Sequence, residues 1–224
     1  MTHDSGQRLC FSVSAVAFDL DGVLVDTEAI NVRAAYEAFS SSGCALAASD
    51  RTSIVGRHPD DYVPLLAARF GLSSDVERQI RARQNETYIR LWSRDARARD
   101  GVEKVLPWLC QRGFRLALAT SAGRGHARRC LERFEIDRFF EIVLTKDDVA
   151  RRKPDPEIYL LAVRRLGIDA ASLLIVEDSE HGVVAARGAG ARCVALATSH
   201  TPPEKIAAAD FFVDSLAELI ELLS

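Results

Sequence analysis

The sequence predicts an α/β fold, namely a doubly wound Rossmann-like parallel sheet core with an inserted α-helical cap domain. Six short apolar runs are nearly continuous and are flanked by turn residues, as expected for parallel strands covered on both faces. Amphipathic stretches separate most of these runs, and repeated strand–helix alternation indicates a doubly wound sheet. After the first run, roughly 70 residues show only helical patterns, which indicates a helical domain inserted into the core.

The predicted elements follow one another along the 224 residues of the chain. The strands are expected at residues 13–20, 114–120, 139–145, 172–177, 192–197 and 210–213. The core helices are expected at about residues 101–112, 124–134, 155–167, 180–189 and 215–223. We therefore place the core domain at residues 10–27 and 99–224, and the cap domain at residues 28–98.

The composition is that of an ordinary soluble globular protein, with 48% hydrophobic and 27% charged residues. The net charge is −3 and no basic block occurs, so no nucleic-acid partner is expected. The polar N-terminus does not resemble a signal peptide, and no apolar run approaches the 18 or so residues of a membrane span. Five scattered cysteines without a Cys-x-x-Cys pair favour reduced thiols and a cytoplasmic location. A monomer is the default expectation.

Two acidic residues, Asp19 and Asp21, end the first apolar run in AVAFDLDGVLVDTE. Carboxylates this close resist desolvation, at several kcal/mol per buried ion. An Asp-Gly turn alone would explain them, because this dipeptide favours turns. An EF-hand is excluded, since Ile30 stands where that loop requires a glutamate.

Three further segments carry polar residues, two of them at predicted strand ends. In ALATSAGRG, the Thr120 and Ser121 hydroxyls either bind an anion or cap the next helix. Lys153 precedes a proline that starts a new helix, and Glu177 and Asp178 follow the apolar run in LLIVEDSEHG. Two acidic pairs at separate strand ends require a cation, and oxygen ligands without His or Cys favour Mg²⁺ over zinc.

In this order and spacing, the four segments closely resemble the haloacid dehalogenase superfamily of phosphotransferases. DLDGVLVDTE matches the first motif of that superfamily, Thr120 the second, Lys153 the third and EDS at 177–179 the fourth. The segments GVEKVLPWL, RKPDPEIY and VEDSEHGVVAARGAG are similar to the subgroup that contains phosphoglycolate phosphatase and β-phosphoglucomutase. The helical insert is similar to the cap of that subgroup.

The resemblance implies a role for each acidic residue. Asp19 would attack phosphorus and form an aspartyl-phosphate. Asp21 would protonate the leaving oxygen and then deprotonate the incoming water or alcohol. Mg²⁺ would be held by the Asp19 carboxylate, the Asp21 backbone carbonyl and Asp178, with Glu177 binding either directly or through water.

The resemblance also implies how the phosphoryl group of the substrate is bound. Thr120, the Ser121 amide and Lys153 would contact its oxygens, and Gly22 and Ala122 would complete this part of the site. Phosphoryl transfer depends chiefly on positioning and charge neutralisation, which Mg²⁺ and a lysine provide.

The loop GRH, residues Gly56, Arg57 and His58, is expected to face the active site from the cap and to contact the substrate. The alternative is a solvated turn before a helix that starts near Pro59. For Arg124, which follows the second motif, a substrate contact and a surface helix position are both open.

The expected activity is that of a Mg²⁺-dependent phosphatase acting on a small phosphorylated metabolite, of the sugar phosphate or phosphoglycolate type. Asp21 and the second acidic pair favour phosphoryl transfer over dehalogenation. The insert has no lysine to form the Schiff base of phosphonate-cleaving relatives. A sugar-phosphate mutase remains an alternative, although Asn31 stands where β-phosphoglucomutase has a histidine. The third alternative is a non-catalytic binding module. Such a module would be expected to lack Asp19 or Asp21, whereas this sequence has both.

Overall fold

The computed structural model of the chain describes residues 12–198 and 201–224. The chain forms two compact units. One comprises the segment that ends at Val25 together with Ala98–Ser224, and the other is Asp26–Arg97. Cys10 lies outside the described residues. Among the described helices, none is both long and apolar enough to cross a membrane.

The element bounds follow the predicted alternation closely. The strands are β1 Ala15–Phe18, β2 Val25–Asp26, β3 Arg97–Ala98, β4 Arg115–Ala119, β5 Ile142–Leu144, β6 Leu173–Glu177, β7 Arg192–Leu196 and β8 Phe211–Val213. The α-helices are α1 Glu28–Ser41, α2 Arg51–Ile54, α3 Pro59–Arg69, α4 Ser74–Asp95, α5 Val102–Gln111, α6 Arg124–Arg133, α7 Glu157–Leu166, α8 Glu180–Gly188, α9 Pro203–Ile206 and α10 Glu218–Leu222. Short 3₁₀ turns lie at Ala48–Asp50, Asp137–Phe139, Lys146–Asp148 and Ala170–Ser172.

Six strands form one parallel sheet in the order β5-β4-β1-β6-β7-β8. The predicted doubly wound α/β core with a helical insert is thereby confirmed. The register aligns Phe18 of β1 with Leu118 of β4 and Val176 of β6, so these three strands end at one level. Ligands of such sheets bind at the carboxyl ends of the strands.

Small side chains on one face of the sheet allow helices to pack closely against it. Ala15, Ala17, Ala117 and Ala119 are fully buried in a cluster with residues of α7 and α8. Tyr159 of α7 is also fully buried in this cluster. Because interiors are packed at crystal-like density, the short alanines leave the room that this large ring fills. The Tyr159 ring therefore lies in the core close to the carboxyl ends of the strands.

The unit Asp26–Arg97 is helical, as the insert pattern predicts. Helices α1 and α4 pack against each other, and α3 packs on α4. Inside the unit, the Asn31 side-chain oxygen accepts hydrogen bonds from the Tyr62 hydroxyl and the Gln84 amide, each at 3.1 Å. Asn31 therefore has a structural role within its own unit.

One expectation for the insert is wrong, because residues 29–98 were expected to hold no strand. Arg97–Ala98 forms β3, which pairs with Val25–Asp26 in a two-stranded sheet. Two residues are too few to produce an alternating pattern, so the sequence carries no signal for this strand.

Candidate active site

The loop after β1 carries Asp19 and Asp21 in a tightly closed turn. The Asp19 amide donates to the Val176 carbonyl of β6 at 3.0 Å, which extends the sheet by one residue. The Leu20 carbonyl accepts hydrogen bonds from two amides further along the loop, and Gly22 has a φ of +89°. Because that backbone conformation favours glycine, the Asp-Gly turn expected from the sequence is present and shapes the site.

The ammonium group of Lys153 lies at the centre of the site and is buried. Its Nζ donates to Asp19 Oδ1 at 2.7 Å, to Glu177 Oε1 at 2.6 Å and to the Ala119 carbonyl at 2.8 Å. A lysine has three N–H donors, so each has a partner. The structure thus joins the predicted first, third and fourth motifs in one buried network.

Glu177 is completely buried, and protein donors reach both of its oxygens. Oε1 accepts from Lys153 and from the Tyr159 hydroxyl at 2.6 Å. Oε2 accepts from the Ser179 hydroxyl at 3.0 Å and from the Asp178 amide at 3.2 Å. The Glu177 carboxylate, which is itself fixed by these donors, therefore holds the Lys153 ammonium group in place.

The charges of this network shift the pKa values of its members. Burial raises the pKa of Asp19 to about 7, because the lowering by Lys153 is opposed by the negative charges of Glu177 and Asp21. Burial alone would lower the pKa of Lys153, but Asp19 and Glu177 raise it above its usual value. One cation facing two buried carboxylates leaves the cluster with excess negative charge.

Three observations indicate that the acidic residues of the site are suited to binding a divalent cation. Asp19, Glu177 and Asp178 are buried, and each offers one oxygen within 4.8 Å of the others. A Cβ on Gly22 would lie 2.0 Å from Asp178 Oδ2, so only a glycine lets this carboxylate approach the loop. The donors are oxygens, the type that Mg²⁺ prefers.

The segment after β4 forms a turn at the same strand ends. The Thr120 amide donates to the Leu144 carbonyl, and its hydroxyl oxygen accepts from the Ala122 amide at 3.0 Å. Thr120 is buried, while Ser121 and Ala122 are half-buried. The Arg124 guanidinium donates to Asp148 at 2.8 Å on the surface, so its contact here is with protein.

The loop with Gly56, Arg57 and His58 lies in the unit Asp26–Arg97, between α2 and α3. His58 is the N-cap of α3, and its Nδ1 accepts a hydrogen bond from the Asp60 amide at 3.2 Å. Gly56 is exposed with a φ of +68°. The structure thus shows the turn before a helix, and a substrate contact by these residues stays a prediction.

Two residues of the site were assigned no role from the sequence. Tyr159 supports Glu177, and His126 Nε2 lies 2.9 Å from Asp21 Oδ1. Burial alone would lower the pKa of His126, but the Asp21 carboxylate outweighs it and raises the pKa to about 10. Neither contact leaves a signal in the sequence, because each joins residues that are far apart in the chain.

Comparison with known proteins identifies the family. Residues 16–196 match the family model described as haloacid dehalogenase-like hydrolase. A phosphorylated carbohydrates phosphatase of Thermotoga maritima is 33% identical over 178 residues, covering 80% of this chain and 82% of that protein. A phosphoglycolate phosphatase of Vibrio parahaemolyticus is 28% identical and covers 95% of this chain and 96% of its own length.

A solved structure shows the same fold over nearly the full chain. The structure of CbbY from Rhodobacter sphaeroides with xylulose-1,5-bisphosphate has a TM-score of 0.78 at 28% identity, covering 95% of this chain and 100% of that one. These relatives confirm the predicted enzyme class, a phosphatase of the predicted superfamily. With a family model spanning both segments of the core, this chain belongs to the haloacid dehalogenase-like hydrolases.

Proposed function

We propose that the chain is a Mg²⁺-dependent phosphatase that hydrolyses a small phosphorylated metabolite through an aspartyl-phosphate. The observation that carries this proposal is the buried cluster of Asp19, Lys153, Glu177 and Asp178 at the ends of neighbouring strands. Such a cluster combines a nucleophile, a fixed cation and an acidic pocket in one place. Phosphoryl transfer needs these groups to be positioned and charge to be neutralised.

In the first step, the Asp19 carboxylate attacks phosphorus and forms a new P–O bond. The bond from phosphorus to the alcohol oxygen breaks, and a proton from Asp21 passes to that oxygen. In the second step, a water attacks phosphorus and Asp21 takes its proton. The bond to Asp19 breaks, which releases phosphate and restores both carboxyl groups.

The Asp19 carboxylate, the Asp21 backbone carbonyl and Asp178 would hold Mg²⁺. The bound ion supplies charge neutralisation for an anionic substrate that approaches an anionic nucleophile. Glu177 has four donor contacts from the protein, which supports a role in holding Lys153. A ligand role for Glu177, directly or through water, would require it to share those contacts.

The substrate class rests on the named relatives. One is named a phosphorylated carbohydrates phosphatase, another a phosphoglycolate phosphatase, and a third is solved with a sugar bisphosphate. We propose that Thr120, the Ser121 amide and Lys153 contact the phosphoryl oxygens, with Gly22 and Ala122 beside them. We propose that Gly56, Arg57 and His58 contribute to the choice of substrate.

A sugar-phosphate mutase would use the same core and is the second reading. Asn31 stands where β-phosphoglucomutase has a histidine. It has no titratable group, and its side-chain oxygen accepts hydrogen bonds from Tyr62 and Gln84. This favours water as the phosphoryl acceptor. Conversion of β-glucose 1-phosphate to the 6-phosphate, faster than phosphate release, would favour the mutase instead.

Phosphate release tests the proposal directly. We expect the protein with Mg²⁺ to hydrolyse members of a panel of sugar phosphates, phosphoglycolate and nucleotides. Asp19→Asn should lower the rate on the order of 10³-fold or more, because the nucleophile and its partners act as a unit. Asp75→Asn on the exposed surface of α4 is the matched control and should match the unmodified protein. No phosphate release from any substrate would refute the proposal.

Metal binding has a test that does not depend on activity. A ligand at 100 times its Kd stabilises a fold by about 2.7 kcal/mol. We therefore expect Mg²⁺ to raise the melting temperature by roughly 5–11 °C, taking about 2–4 °C per kcal/mol at this size. Asp178→Asn should abolish most of this shift. An equal shift in both proteins would remove Asp178 from the metal site.

A further inference from the structure

A histidine outside the four motifs contacts the side chain of Asp21. His126 is the third residue of α6, the helix that begins just after the turn with Thr120. Its Nε2 lies 2.9 Å from Asp21 Oδ1. The loop after β1 and helix α6 are thereby joined by one contact between side chains that are 105 residues apart in the chain.

The surroundings of His126 limit the movement of its ring. The His126 side chain is 14% exposed, against 32% for that of Asp21. One turn further along α6, the fully buried Cys130 places its Sγ 3.5 Å from the same Nε2. The thiol and the carboxylate thus approach the same nitrogen of the imidazole. With a hydrogen on Nε2 it donates to Asp21, and this holds for the charged ring and for one neutral tautomer.

We propose that His126 is a positioning residue for Asp21. It fixes the carboxyl group by Oδ1 and so sets the direction in which Asp21 delivers or takes a proton. This inference rests on the proposed phosphatase function, in which Asp21 is the general acid and base. Proton transfer of this kind contributes roughly 10²–10⁴-fold and depends on hydrogen-bond geometry.

The test compares substrates that need the proton with one that does not. An alkyl alcohol, as in a sugar phosphate, leaves poorly without a proton, whereas nitrophenolate leaves as an anion. Since kcat/KM reports the steps up to the first departure of the leaving group, it isolates the acid role of Asp21. His126→Met removes the donor at similar size, and His126→Gln keeps an N–H donor near the Nε2 position.

We expect His126→Met to lower kcat/KM for a sugar phosphate by about 10-fold or more, and for p-nitrophenyl phosphate by less than about 3-fold. His126→Gln should recover much of the loss. Equal losses on both substrates, or equal rates for the Met and Gln variants, would overturn the inference while leaving the phosphatase proposal standing. Failure of the unmodified protein on every phosphate ester would instead overturn both.

A structural measurement accompanies the kinetics. The imidazole resonances of His126 should shift in Asp21→Asn, because the charge of the partner carboxylate is removed. They should stay unchanged in Asp75→Asn. Unchanged resonances in Asp21→Asn would contradict the contact itself. Melting temperatures of the Met and Gln variants should agree, so that a rate difference between them reports the donor and not the fold.

Discussion

Replacing Gly182 by alanine tests how tightly the Glu177 carboxylate is packed. Gly182 is the third residue of α8, and a Cβ there would lie 1.8 Å from Glu177 Cδ and 2.0 Å from both of its carboxylate oxygens. At an unhindered helix position, glycine to alanine stabilises a protein by roughly 0.8–1 kcal/mol. Here the added methyl group must displace a buried carboxylate, so we expect the opposite sign.

The size of the effect follows from the contacts that Glu177 would lose. Its oxygens accept hydrogen bonds from Lys153, Tyr159 and Ser179. Breaking a buried ion pair costs about 3–5 kcal/mol. Subtracting the helix gain of about 1 kcal/mol leaves a destabilisation of roughly 2–4 kcal/mol. This corresponds to a melting temperature lowered by about 4–16 °C for a protein of this size.

Urea unfolding followed by circular dichroism measures this loss. Gly125→Ala is the matched control, since Gly125 is the second residue of α6 and its Cβ would meet only the Arg129 side chain, at 3.7 Å. That variant should keep its stability or gain up to about 1 kcal/mol. A Gly182→Ala protein as stable as the control would refute the reasoning, because the carboxylate would then move without loss.

Two further predictions concern single polar groups. Tyr159→Phe leaves Glu177 without one donor, so unfolding should become easier by about 1–3 kcal/mol, and an unchanged urea midpoint would contradict this. The hydrogen bond from Arg69 holds the pKa of Asp50 below its usual value. The resulting stability is present above the unfolded pKa of about 3.9 and is lost as the pH falls through the lower folded value. The urea midpoint of Asp50→Asn should therefore fall less steeply below pH 4, whereas Asp75→Asn should follow the unmodified protein.

Most of the fold could be predicted because its signals are local. Each of the six sheet strands is a short apolar run, and each of the helices α5 to α8 follows an amphipathic pattern. The register then brings the ends of β1, β4 and β6 to one level, which the parallel topology implies. The meeting of Asp19 and Asp178 follows from that topology, whereas the place of Lys153 beside them was predicted from the family resemblance.

The rest of the site depends on side-chain contacts that spacing does not encode. The sequence left open whether Glu177 binds a metal directly or through water, and it did not reveal that Lys153 and Tyr159, from other parts of the chain, donate to this carboxylate. In the sequence, Tyr159 can be recognised only as one of the apolar positions of helix α7. The contact of His126 with Asp21 spans 105 residues and leaves no periodic signal.

The central place of β1 in the sheet has a consequence for the order of folding. This strand precedes both of its sheet neighbours in the chain, since β4 and β6 start only at Arg115 and Leu173. At a synthesis rate of about 5–20 residues per second, the second neighbour, β6, is made roughly 8–30 s after β1. Helices α1 to α4 make local contacts, which form early. The apolar strand β1 has no sheet partner until β4 has been made. During that interval the apolar residues of β1 lack the sheet partners that cover its two edges in the fold.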